Sequence, residues 1–221
     1  MAQALFKSWF VDFEPFGGEQ PTTWAFGKAE NFFDIAIGKT PPRKEPKWFT
    51  TNPQDVIWTS ISDMGSCGMF ISDSSEYLTT ESVERFNIKV VPSGTVLLSF
   101  KLTVGRVAIA DGAMTTNEAI AHFKPSSDLI LEYLYCYLKA FDYQSLGNTS
   151  SIATAVNSKT IKAMPFVMPD DKVLIDFHAA TTPLFEKVRV NLAEKVRLVA
   201  IRDTLLPRLM SGELSVADLS R

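Results

Sequence analysis

Hydrophobic and polar positions change rhythm several times along this chain. Between Asp55 and Phe123 the apolar residues fall in short runs: VIWTSI (Val56 to Ile61), FNIKVV (Phe86 to Val91), TVLLSF (Thr95 to Phe100) and RVAIA (Arg106 to Ala110). They are rich in β-branched or aromatic residues and bounded by Gly, Pro, Asp or Ser, a pattern that predicts strands. Pro92-Ser93-Gly94-Thr95 predicts a tight turn between two of them. From Asp128 to Phe141 the period lengthens. Leu129, Leu131, Tyr133, Leu134, Tyr137 and Leu138 form a broad apolar face behind Ser127 as the cap, which predicts a helix. The stretch Leu146 to Asn157 is small, polar and weakly periodic, and reads as a loop.

The last third carries a longer pattern. From Asp171 to Met210 a heptad-like run passes through Leu184, Val188, Leu192, Val199 and Leu206, while Lys187, Arg189, Glu194, Lys195 and Arg197 keep the remaining faces polar. Helical throughout, it would reach about 60 Å at 1.5 Å per residue, whereas helices in globular domains usually stop near 20 residues. Such a helix overhangs a single domain and implies a partner. Two starts are open: Thr182 as N-cap with Pro183 at the first helical position, or a start near Asp170 with a kink at Pro183. Gly212 predicts the C-terminal cap.

Composition narrows the classes. With 221 residues, 46% of them hydrophobic, the chain can bury one full core or a core plus an appendage. Cys67 and Cys136 are too few for a disulfide framework or a metal knuckle, and no secretory leader is legible, so the expected compartment is the cytoplasm. No apolar stretch is long enough for a membrane span. A net charge of -3 argues against a free-standing, charge-driven nucleic-acid binder. Charge is uneven, however. The segment Gly38 to Trp48, GKTPPRKEPKW, carries Lys39, Arg43, Lys44 and Lys47 against Glu45 alone, and its three prolines forbid a helix. By itself it reads as a solvated surface loop.

Motifs for catalysis do not emerge. His122 and His178, the two histidines, lie in no metal or nucleophile pattern; Asp170-Asp171 after Pro169 reads as a helix entry; no glycine-rich phosphate loop is present. The expectation is a chain that is not an enzyme, holds no cofactor and binds no metal.

Several stretches in one order resemble a known family. GKTP (Gly38 to Pro41), VIWTSISDMG (Val56 to Gly65), VPSGTVLLSFKLTVGRVAIA (Val91 to Ala110), TTNEAI (Thr115 to Ile120), GNTSS (Gly147 to Ser151), the IKAMPFVMP exit and the LLPRLMSGEL end of the long helix are together similar to the DNA specificity subunit of type I restriction-modification systems. The resemblance implies an α+β fold: a globular target-recognition domain of mixed sheet and helix, followed by a long C-terminal helix acting as a coiled-coil spacer. It divides the chain into 1–18, resembling the end of a central spacer; 19–169, the DNA-binding recognition domain; and 170–221, the helical spacer and dimerisation arm. That layout is half a full-length subunit.

By the same resemblance, the chain would bind double-stranded DNA and dock methyltransferase subunits, which use S-adenosylmethionine to methylate adenine N6, with a restriction subunit as a further partner. Two copies would pair through Leu184, Val188, Leu192, Val199 and Leu206 and read inverted half-sites. Base and phosphate reading calls for Arg or Lys, Asn or Gln, and hydroxyls. Lys39, Thr40, Arg43, Lys44 and Lys47 are the first candidates; Asn148, Thr149, Ser150, Asn157 and Lys159 come next, then Lys101 and Arg106 beside the Thr103-Val104-Gly105 turn. Each has a plainer alternative: Thr40 setting its turn, Arg106 pairing with a carboxylate, Asn117 serving as a structural hydrogen-bond hub, Gly94 and Gly105 supplying turn conformations. The rival function is a helical scaffold that recruits a protein and leaves DNA alone.

Overall fold

The computed structural model describes residues 1–147 and 156–214. In chain order its elements are α1 (Ala2–Phe10), β1 (Ala25–Lys28), β2 (Asp34–Ile37), β3 (Phe49–Thr50), β4 (Val56–Thr59), α2 (Ile61–Ser66), β5 (Phe70–Ile71), β6 (Tyr77–Leu78), α3 (Thr80–Arg85), β7 (Val96–Ser99), β8 (Val107–Ala110), β9 (Thr115–Thr116), β10 (Ile120–Lys124), α4 (Leu131–Ala140), α5 (Ser158–Lys162), β11 (Pro165–Met168) and α6 (Asp171–Met210). Short 3₁₀ turns link several of them. The chain divides into two compact units, Met1–Leu184 and Phe185–Arg221.

Within the first unit a mixed sheet of order β2-β10-β7-β8-β5 forms the centre. β7 and β8 are an antiparallel hairpin with Leu97 opposite Ala108. Every residue of both strands is buried, because both faces are covered. On one side α4 packs across the hairpin. A cluster of Met64, Ile71, Val91, Leu97, Ala108, Ala110, Met114 and Ile120 fills a shared core. A second sheet, β3-β6-β4-β9, includes a parallel pairing of β4 with β9. Trp58, Leu78 and Ile88 make its own small core. The pair β1 and β11, antiparallel, joins two segments far apart in sequence.

Aromatic side chains tie the helices of this unit together. Phe10 lies 4.6 Å from Tyr133 and 5.0 Å from Phe177 between ring centroids, and Tyr137 lies 4.5 Å from Phe166. α1, α4, β11 and the first part of α6 therefore share one aromatic core. Glu132, buried on α4, accepts from Thr182 Oγ1 at 3.0 Å and pairs with His178 Nδ1 at 2.8 Å. A buried carboxylate is tolerated only with such partners.

Several local expectations change. FNIKVV is not a strand: Phe86 caps α3, Asn87 turns the chain with φ of +48°, and only Val91 keeps a bridge, to Met114. Its β-branched composition serves burial of Ile88 and Val91 instead. The run at Val56 stops as a strand at Thr59, because Ser60 and Asp63 form a capping box that opens α2. Thr182 is not an N-cap: α6 already begins at Asp171 and runs through Thr182 to Met210. Pro183 lies inside the helix, where it removes one main-chain donor. Gly212, with φ of +77°, follows the helix end, as a C-terminal cap requires.

The unit Phe185–Arg221 has a different character. From Glu186 to Glu213 only Val188 and Leu192 are partly covered and all others are exposed. Val190, Val196, Leu198, Leu206 and Met210 are at least half exposed, at 58%, 67%, 54%, 50% and 80%. Among the described residues, no helix is long and apolar enough to cross a membrane.

Candidate nucleic-acid interface

The basic segment after β2 is held at both ends. Gly38 N–H donates to Ile120 O at 3.1 Å and Lys39 N–H to Thr116 O at 2.9 Å. The approach is so close that a Cβ on Gly38 would lie 2.1 Å from both Asn117 O and Thr116 Oγ1, so no larger residue fits. At the far end Trp48 is buried against Phe86, with ring centroids 5.3 Å apart. Between these anchors Pro42 to Lys47 are all exposed.

Structure gives the four cations of this segment different surroundings. Arg43 forms a two-pronged pair with Glu76, both contacts at 2.8 Å. Its guanidinium also stacks 4.0 Å from the Phe49 ring centre and 4.5 Å from that of Trp58. The hydrogen bonds from Arg43 hold the Glu76 carboxyl below its usual range, and Glu76 raises Arg43 in return. Lys39 Nζ donates to Phe86 O at 2.6 Å. Lys47 lies 3.6 Å from Glu45 and 4.4 Å from the Trp48 ring centre. Lys44 is exposed, and among the described residues no ion pair engages it.

The β7–β8 tip comes next to this segment at Glu118: Thr40 Oγ1 donates to the Glu118 carboxylate, and Phe100 N–H donates to Ala119 O at 2.9 Å. Burial alone would raise this carboxyl, but the hydrogen bond from Thr40, a main-chain donor and the charges of Lys101 and Arg43 bring it below the usual range. The segment after β2 and the tip of the β7–β8 hairpin thus share one electrostatic neighbourhood. Lys101 is exposed there. Arg106, on the other side of the tip, is turned inward: its Nη1 donates to Ile61 O at 2.6 Å, and the guanidinium closes so tightly on Gly65 that a Cβ there would be 2.4 Å from Nη1. Its partner is a carbonyl, not the carboxylate of the plainer alternative.

Other candidates lie elsewhere. Asn157 caps α5, its Oδ1 accepting from the N–H groups of Lys159 at 2.9 Å and Thr160 at 3.1 Å, while the Lys159 side chain is exposed. Asn148, Thr149 and Ser150 lie outside the described residues. Asn117 is a hub: its N–H reaches Thr59 O at 3.0 Å and its Oδ1 accepts from Ala119 N–H at 3.1 Å. Gly94 and Gly105 have φ of +82° and +89°. Sequence reasoning missed Glu76, Glu118, Phe49 and Trp58. Aromatic residues flanking a basic run were the available signal; two carboxylates distant in sequence gave none.

Buried titratable groups serve the scaffold. His122, on β10, contacts Thr116 Oγ1 through Nε2 at 2.6 Å, and burial, with Lys89 adding to it, lowers its pKa to about 4. It is neutral near pH 7. Among the described residues no group of His, Cys, Asp and Glu could hold a metal ion.

The chain is similar in sequence and in fold to known proteins. Residues 21–173 match the type I restriction modification DNA specificity domain. The chain is 27% identical over 198 residues to the type I restriction enzyme HindI specificity subunit of Haemophilus influenzae, covering 88% of this chain and 42% of that protein. It is 25% identical over 250 residues to the MjaIX specificity subunit of Methanocaldococcus jannaschii, covering 99% and 53%. The chain thus spans about half the length of these curated relatives. In fold it is similar to the HsdS subunit of Thermoanaerobacter tengcongensis, with a TM-score of 0.58 at 16% identity over 96% of this chain and 50% of that one. It is also similar to the S subunit from M. genitalium, with a TM-score of 0.52 at 16% identity, covering 87% and 48%. The family model spans well over half of the sequence, and on that match the chain belongs to the type I restriction-modification DNA specificity family.

Proposed function

We propose that this chain is a non-catalytic sequence-reading module that binds one DNA half-site and docks methyltransferase subunits, and a restriction subunit where one exists. One observation carries the reading. Two segments distant in sequence, Gly38 to Trp48 and the β7–β8 tip, meet around Glu118, where Thr40 Oγ1 donates to its carboxylate and Phe100 N–H donates to the adjoining Ala119 O at 2.9 Å, with Lys44 and Lys101 exposed. Arg43, stacked and paired, stiffens the first loop; Lys39 helps to fasten its start to Phe86. A pre-ordered loop loses less entropy on meeting the duplex. The chain's formal charge of -3 is compatible with this, since methyltransferase subunits closing around the duplex would add phosphate contacts.

The arm suits a second copy. Val188, Leu192, Val199 and Leu206 form one row, and Leu198, Ile201, Leu205 and Leu209 recur by three or four beside it. Glu186 with Arg189 and Glu194 with Arg197, both at 3.9 Å, keep the flanks polar. Two copies joined in this way would read an inverted repeat.

Gel shift of duplex DNA, with and without methyltransferase subunits, tests the central claim, because a protein scaffold leaves DNA mobility unchanged in both lanes. Replacing Lys44, Lys47 and Lys101 with Ala should lower affinity and flatten the salt dependence by about 0.9 in log–log slope per lost phosphate contact. An unchanged slope removes these loops from the interface. Arg43 is left intact in this variant because its role in the loop is structural. Sedimentation showing only a monomer, alone and with methyltransferase, would eliminate the pairing.

A further inference from the structure

The tip of the β7–β8 hairpin holds an unusual residue. Leu102 is 97% exposed and has φ of +60°. Thr103 N–H donates to Lys101 O at 2.7 Å across it, so Leu102 is the centre of a three-residue turn of the rarer, strained hand. Glycine or asparagine would adopt this backbone more readily. An apolar side chain is thus fixed outward where neither its backbone nor its solvation favours it. Strain of this kind is kept where the surroundings over-determine it.

Those surroundings are densely hydrogen-bonded. Gly105 N–H donates to Ser99 O at 3.0 Å and Ser99 N–H to Arg106 O at 2.9 Å. Ser99 Oγ bonds Thr103 O, and Arg106 N–H donates back to Ser99 Oγ at 3.1 Å. Phe100, 1% exposed, anchors the base, and its N–H donates to Ala119 O at 2.9 Å. Gly105 rests on Tyr143, whose ring a Cβ would meet at 3.2 Å. Leu102 therefore stands on a braced two-stranded ribbon beside the cation of Lys101.

We propose that Leu102 is a base-reading residue that packs on the 5-methyl group of a thymine in the major groove. This rests on the DNA-reading function proposed above. The major groove admits a two-stranded ribbon, and the thymine methyl is the apolar feature displayed there. Lys101 is placed to meet a phosphate alongside. A protein partner fits this tip less well. One leucine between Lys101 and Thr103 is far smaller than the apolar patches of several hundred Å² that mark protein docking surfaces.

The test uses the full chain assembled with methyltransferase subunits. A random-sequence duplex pool is enriched for binding, and the selected duplex is remade with each thymidine in turn replaced by deoxyuridine, which lacks only the methyl. One replacement should weaken binding about fourfold, the worth of one buried methyl group. Leu102→Gly keeps the turn while removing the side chain, so its melting temperature should hold or rise. It should bind the thymidine duplex more weakly and lose its sensitivity to that one deoxyuridine. Wild-type affinity in L102G overturns the assignment. So does an equal loss on both duplexes, or a loss of methyltransferase co-purification. A wild-type complex that enriches no sequence overturns the DNA-reading function itself, a result distinct from the others.

Discussion

The units Met1–Leu184 and Phe185–Arg221 treat apolar side chains in opposite ways. In the first, Leu97, Leu98, Ala108, Phe123, Phe166 and Phe177 are fully buried, and aromatic rings link α1, α4, β11 and the start of α6. In the second, from Val196 to Met210, apolar residues recur at helical spacing and are exposed. The first satisfies its own hydrophobic effect. The second leaves these apolar residues to solvent, and the pairing proposed above rests on that contrast.

Four measurements would break or sharpen that contrast. Phe166→Ala removes a ring from the aromatic core and should lower the stability of the first unit by about 3–5 kcal/mol in urea melts; a loss under 1 kcal/mol would mean this core is not what holds the unit. Acid comes next. His122 has its folded pKa lowered from 6.5 to about 4, so the unfolded chain takes up the proton first and stability falls as pH drops from 6.5 toward 4. The loss should reach about 3 kcal/mol, and His122→Gln should flatten the decline between pH 6.5 and 4.5; an unchanged decline would place acid sensitivity elsewhere.

Replacing Leu198 and Leu205 with Asp should leave urea stability of the first unit within about 0.5 kcal/mol. Association measured by sedimentation should weaken at least tenfold, roughly 1.4 kcal/mol. Dimers that persist would show that another face joins the copies. The smallest effect belongs to the half-exposed Arg43 and Glu76 pair. Arg43→Ala should cost about 1 kcal/mol after solvent screening, and Arg43→Lys should not restore it because the two-pronged geometry is lost. Glu76 has a lowered pKa, so the pair's contribution is present above pH 4.5 and fades as pH falls below it; Arg43→Ala should remove that component of acid sensitivity.

Much of the fold was legible. Val96 to Ser99 and Val107 to Ala110 are apolar on consecutive positions and bounded by turn formers, and they became the buried hairpin. The helix from Leu131 to Ala140 and the long helix from Asp171 to Met210 were readable from their periods. FNIKVV misled because composition cannot distinguish a strand from an irregular segment that buries Ile88 and Val91. The pairing of β1 with β11 joins Phe26 to Val167, and no local pattern announces such a partnership.

The candidate interface divides in the same way. Its cations were visible as a run, but their individual surroundings were not, since Glu76 and Glu118 lie far along the chain from Arg43 and Thr40. What the amino-acid order determined by itself was where hydrophobic period, proline and glycine allow strand, helix or turn, because those preferences act over a few neighbouring residues. Only the tertiary structure decided which charges are spent on the scaffold, which stand in solvent, and that Leu102 is held outward. Those outcomes depend on contacts between segments that the chain separates and the folded core brings together.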